Sequence, residues 1–166
     1  MKVAHYAAVA GRNGPSLFAP PAAWAVAQFA GELIESGGRF DMQNFGLVVA
    51  SDDCSLATVR TLAQSLERGV LSPLRFAGSS PSILAGLTAI QLQIRGPTIC
   101  LTMPPENASL AFEALLAFWF ENEGVSAAMA ISHWSTDTGG HRLSGAIIRQ
   151  NEEIPAAQLA IRPTGP

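Results

Sequence analysis

Between Leu110 and Phe120 the chain reads Leu-Ala-Phe-Glu-Ala-Leu-Leu-Ala-Phe-Trp-Phe, apolar at every position but Glu113. A helix that is apolar all round is buried all round. One sheet covers only one side of such a helix, so a second apolar layer has to come from elsewhere. Two sources are open: another subunit, or the chain's own N-terminal helix with Trp24, Val26 and Phe29. Of the 166 residues 48% are hydrophobic and 14% charged, well below the roughly one quarter charged of an ordinary soluble domain. That balance favours a chain that hides apolar surface against another molecule.

The length suits a single domain, residues 1–166, with a sizeable core. The formal charge is -3 and the one Lys and nine Arg are scattered, so neither nucleic acid nor an acidic membrane surface is an expected partner. Residues 1–11 faintly imitate a signal peptide, but the apolar run is short and broken by His5 and Tyr6. No apolar run approaches the roughly 18 residues of a bilayer span. A cytoplasmic protein is expected. Cys54 and Cys100 lack CxxC or metal-ligand spacing and sit in apolar surroundings, which reads better as buried free thiols than as a disulfide.

Strand and helix signals alternate. Residues 3–10 read as a short buried strand, and Arg12-Asn13-Gly14-Pro15 as a turn before a helix over residues 21–35. Residues 45–50 form an apolar run of strand length, followed by Ser51-Asp52-Asp53, which suit the start of a helix. The helix over 56–68 repeats Val59, Leu62, Ala63 and Leu66 on one face, with Arg60, Gln64 and Glu67 opposite, and is expected to cover a sheet. A helix over 81–93 carries small Ala85, Gly86 and Ala89, a sign of close packing on a neighbour. Strands over 98–103 and 126–133 flank the helix over 108–121, and a final pair of strands is placed at 142–149 and 158–162. Alternating βαβ units predict an α/β domain with a mostly parallel sheet and an antiparallel strand added late.

Three segments have a more specific look: Ser72-Pro73-Leu74-Arg75-Phe76, then Ser79-Ser80-Pro81-Ser82-Ile83-Leu84-Ala85-Gly86, then Arg95-Gly96-Pro97-Thr98-Ile99-Cys100-Leu101-Thr102 ahead of the alanine-rich apolar helix. In this order they resemble the N-terminal half of a β-ketoacyl synthase. Within that family the likeness is to the short chain-length-factor-like homologues of fatty acid, polyketide and aryl polyene-type pathways. The resemblance implies one half of a thiolase-like fold: three layers, α/β/α, around a mixed five-stranded sheet. It implies that the strand Thr98, Ile99, Cys100, Leu101, Thr102 lies at the sheet edge and forms the interface with a second subunit, aided by Phe112, Leu116 and Trp119. Ile99 and Leu101 would face one side of the sheet and Cys100 the other.

In the active family a nucleophilic Cys follows the Gly-Pro strand at a helix N-terminus, where the dipole and backbone N–H groups lower its pKa. Here that turn is Met103-Pro104-Pro105-Glu106-Asn107. Pro105 or Glu106 takes the nucleophile's place, and two prolines remove two backbone donors. The second-half His and Lys motifs of the family are not in this sequence. The resemblance therefore implies a subunit without catalysis of its own. It would pair with itself or with an active ketosynthase, help shape the site of an acyl chain carried by an acyl carrier protein, and need no cofactor. The alternative is a small enzyme acting on acyl thioesters with Glu106 or His133 as general base; Glu106 also suits a plain helix-start carboxylate. Cys100 lies mid-strand, a poor setting for a nucleophile. His133, Asp137 and Ser132 or Ser135 are close in sequence but lack an elbow motif. His133 and His141 have no third ligand in view, so no metal site is expected, and Asp137-Thr138-Gly139-Gly140 reads as a turn between strands.

Overall fold

The computed structural model describes residues 1–6, 19–70 and 73–163. The expected turn at residues 12–15, the strand residues 7–10 and the Ser72 end of the Ser-Pro turn lie outside these. Five strands form one sheet in the order β1-β5-β4-β2-β3: β1 Lys2–Tyr6, β2 Phe45–Ser51, β3 Thr98–Thr102, β4 Ala127–Ser135 and β5 His141–Arg149. β2 pairs in parallel with β3 and β4, whereas β4 with β5 and β5 with β1 are antiparallel. The sheet is thus mixed, as expected, with the antiparallel share larger than a single late strand because β1 joins β5.

All seven residues of β2 are buried, as they must be when helices lie on both faces. On one face Leu47, Val49, Met129, Ile131 and Leu143 pack under α1 (Pro21–Gly37) and α4 (Ile83–Leu92). α1 brings Val26, Phe29 and Leu33. Of the small residues expected to allow close packing, Ala85 is buried where α4 lies along α1, whereas Gly86 faces open space. On the other face the sheet offers Val48, Ala50, Ala128, Ala130 and Ala146. Over these small side chains lie Phe112, Leu116 and Trp119 of α5 (Ser109–Asn122) and Leu159 of α6 (Ala156–Leu159). A Cβ on Gly46 would come within 2.8 Å of the Trp119 ring, so a glycine there admits the indole.

Three expectations need correction. α2 (Leu56–Glu67) does not cover the sheet. It packs on the short α3 (Pro73–Phe76) and the 3-10 turn Ala77–Ser79, burying Leu62 and Ser65 and leaving Val59 at 45% and Leu66 at 54% exposure. Residues 158–162 are not a strand: Pro155 and the alanines after it start α6, and the edge beyond β5 is taken by β1. The N-terminal helix does not supply the second layer for the apolar helix, because α1 lies on the opposite face from α5.

Gly96 gives the Gly-Pro pair a physical reason. A Cβ at that position would collide with the carbonyl oxygen of Phe45, and the next residue's carbonyl accepts from Leu47 N at 2.9 Å. Gly86, by contrast, faces open space on α4. Gly96→Ala is expected to destabilise the fold by about 1–3 kcal/mol through overpacking, and Gly86→Ala to stabilise it by about 0.5–1 kcal/mol through helix propensity. Urea unfolding of the two variants checks this opposition of sign.

Candidate functional site

β3 is the sheet edge. Ile99 and Leu101 pack toward the α5 face and Cys100 toward the α1–α4 face, as the alternation requires. Thr102 is exposed and the four residues before it are half-buried. The chain then turns through Pro104 and the 3-10 turn Pro105–Asn107 into α5. Asn107 N donates to Pro104 O at 2.9 Å and Ala108 N to Pro105 O at 3.0 Å. Pro105 is buried and Glu106 exposed. The Glu106 carboxylate accepts from the indole Nε1 of Trp134, at the end of β4, at 2.8 Å. Neither Pro105 nor Glu106 has a thiol or hydroxyl, and the Glu106 carboxylate ties the turn to β4.

Phe112, Leu116 and Trp119, the helix residues expected at an interface, point into the chain's own core at 0%, 0% and 3% exposure. The outward side of α5 carries Leu110 at 77% and Phe118 at 51%. The amphipathic split was hidden because the outward Leu110 and Phe118 are as apolar as the residues that face inward.

A polar cluster lies beyond the C-terminal ends of β2 and β4, where open α/β sheets place their sites. Ser51 Oγ accepts from Cys54 N at 2.9 Å and is hydrogen-bonded to His133 Nδ1 at 2.8 Å; His133 Nε2 is in turn 3.0 Å from His141 Nδ1. Ser135 Oγ donates to Asp53 Oδ2 at 2.7 Å. Beside this row opens a cleft of about 420 Å³, lined by Pro21, Asp53, Cys54, Arg60, Ser135 and His141 among others. The grouping differs from the one suggested by proximity in sequence. His133 meets Ser51 and His141, Ser135 meets Asp53, Asp137 sits in the β4–β5 turn, and Ser132 lies opposite Ser144 in register with both hydroxyls buried and unpartnered. Ser51 was the residue missed. The parallel pairing that sets it against His133 has no local signal in the sequence.

His133 is fully buried with both ring nitrogens engaged, which leaves it out of reach as a base for a substrate. Burial, helped by the neighbouring His141, lowers its pKa to about 3. Burial also lowers that of His141, against an opposing pull from Asp53. Among the described residues no group of three or more His, Cys, Asp or Glu is placed to hold a metal ion, and no helix is long and apolar enough to cross a membrane. Cys54 and Cys100 are both free thiols, with their sulfurs 4.0 Å apart.

No protein-family model matches the sequence, and no curated protein matches it. Solved structures do share the fold. One is described as the ishigamide ketosynthase/chain length factor, with a TM-score of 0.60 and 17% identity, covering 74% of this chain and 41% of that one. Another is a ketosynthase, ApeO, in complex with its chain length factor, ApeC, from Xenorhabdus doucetiae; its TM-score is 0.65 and its identity 14%, covering 87% of this chain and 63% of that one. The fold is therefore the thiolase-like α/β/α arrangement of ketosynthase and chain-length-factor chains, and this chain spans less than two thirds of the length of either.

Because burial lowers the pKa of His133 to about 3 and shifts that of His141 in the same direction, the unfolded chain binds protons below about pH 6.5 that the folded chain resists. Stability is expected to fall as pH drops from 6.5 toward 3, with a slope of up to about 1.4 kcal/mol per pH unit from His133. Urea midpoints at about pH 7.5 and pH 5 measure it, and His133→Gln should flatten the slope. Equal midpoints for the unaltered chain would contradict the assignment.

Proposed function

We propose that this chain is a non-catalytic, chain-length-factor-like subunit that pairs with an active ketosynthase or with a second copy of itself and helps shape the site of an acyl chain carried by an acyl carrier protein. The observation that carries this reading is the turn after β3. Where the resemblance puts the nucleophile of an active ketosynthase, this turn has Pro105 and Glu106, and the Glu106 carboxylate is committed to Trp134. Such a turn supplies neither a sulfur to acylate nor, with Pro104 and Pro105 in it, the full set of backbone donors that would hold an oxyanion.

Two surfaces support pairing. β3 is an edge strand with no further strand paired to it among the described residues, and proteins ordinarily cover or blunt such an edge. Next to it α5 turns Leu110 and Phe118 outward, among the exposed Glu113, Ala114, Glu121 and Asn122. Contact with a partner would complete the second layer that a helix of this composition calls for.

The experiment is native mass spectrometry of the chain alone and mixed with a candidate ketosynthase. A homodimer or a one-to-one complex is expected. Leu110→Glu with Phe118→Glu, both on exposed positions that leave the core intact, should weaken the complex by at least about tenfold. Leu101→Asp on the edge strand should do the same if circular dichroism shows it folded. A stable monomer indifferent to the ketosynthase would overturn the proposal.

A further inference from the structure

Cys54 occupies an unusual place. It lies in the turn between β2 and α2 with φ at +42°, a conformation that a non-glycine residue adopts only at some cost. Its backbone N–H is held by Ser51 Oγ, and its thiol donates to Ser51 O at 3.2 Å. With that proton committed, the contact of 4.0 Å between the two sulfurs has Cys100 as donor and Cys54 as acceptor. Cys54 is buried, at 6% exposure, but lines the cleft beside the polar cluster, so that a small solute in the cleft lies next to it. Cys100, on the edge strand, is half-buried behind it.

The two sulfurs are unequal. The hydrogen bonds of Cys100 and Ser51 hold the Cys54 thiol below its usual range, against burial and the nearby Asp53 and Asp52 carboxylates, and the start of α2 two residues on favours a thiolate there. The same pairing, with burial, pushes Cys100 well above its usual range. This is the division of labour between an attacking and a resolving cysteine. Closing the gap from 4.0 Å to the roughly 2.05 Å of a bond needs a sulfur movement of about 2 Å.

We propose that Cys54 and Cys100 form an oxidant-sensitive pair in which a peroxide oxidises Cys54 and Cys100 captures it as an intramolecular disulfide. The Cys54 thiolate attacks one peroxide oxygen, and the O–O bond breaks. The departing hydroxide takes up the proton released by the thiol and leaves as water, so that sulfur is oxidised to sulfenic acid while peroxide is reduced. Cys100 sulfur then attacks Cys54 sulfur: the S–S bond forms, the S–O bond breaks, and the hydroxyl leaves with the Cys100 proton as a second water. The product ties the turn after β2 to the edge strand β3, and so to the element on which pairing was proposed above.

The test treats the reduced full-length chain with a stoichiometric amount of hydrogen peroxide, quenches it, unfolds it and alkylates it with iodoacetamide before mass spectrometry. Loss of both alkylations, a mass lower by two hydrogen atoms and a peptide linking positions 54 and 100 are expected. In Cys100→Ser the link is lost and dimedone traps a sulfenic acid on Cys54; in Cys54→Ser, Cys100 stays fully alkylatable. Full alkylation of both cysteines in the treated unaltered chain would overturn the proposal even if neither variant folded, as would a disulfide joining two chains, or dimedone on Cys100 in Cys54→Ser. Pairing is read separately, so its absence leaves the chemical result standing.

Discussion

The unbroken burial of β2 governs the rest of the molecule. A strand flanked by two parallel neighbours and apolar on both sides cannot be finished by one layer of helices. α1 and α4 fill one face with large side chains against Leu47, Val49, Met129 and Ile131. The other face is mostly alanine beside Val48 and Ile148, and there much of the bulk comes from the helix side, as Phe112, Leu116 and Trp119.

The same arrangement decides where polar chemistry gathers. With both faces filled by apolar side chains, polar groups collect at the C-terminal ends of β2 and β4. There Ser51, His133 and His141 form a buried row and Asp53 and Ser135 close it toward the cleft. Edge strand β3 ends close by, and its turn is held to β4 by Glu106 and Trp134. A carboxylate and an indole therefore do at this turn what a structural staple does. The row of histidines is too deep to meet a substrate.

Much of this was legible in the chain. The apolar run at residues 45–50 and the small-residue helix reported their elements because their signals are local, a periodicity of burial and a spacing of alanines. The Gly-Pro pair did so through a steric demand at Gly96 that only glycine meets. What was not legible is what depends on partners far along the chain. α2 has the apolar period of a sheet-covering helix, yet the sheet has no room for it beside α1 and α4, and its Val59 and Leu66 stay outside. Phe112 and Phe118 differ by almost two helical turns and are chemically identical, so sequence had no means to say which faced inward. Ser51 and His133 meet through strand register alone.

β1 lies at one edge of the sheet and β5, its neighbour, is formed by residues 141–149; Lys2 sits opposite Gly145 and Tyr6 opposite His141. The pairing joins segments some 140 residues apart, so its loop closure is among the costliest in the fold. During synthesis β1 leaves the ribosome well ahead of β5 and waits for it before it has its strand to pair with. The parallel core of β2, β3 and β4 has been made by then, and the bond of Glu32 to Lys2 and Tyr6 offers the waiting segment a local anchor on α1. A fold stitched shut between segments so far apart is completed only once β5 has been made, however soon its centre has formed.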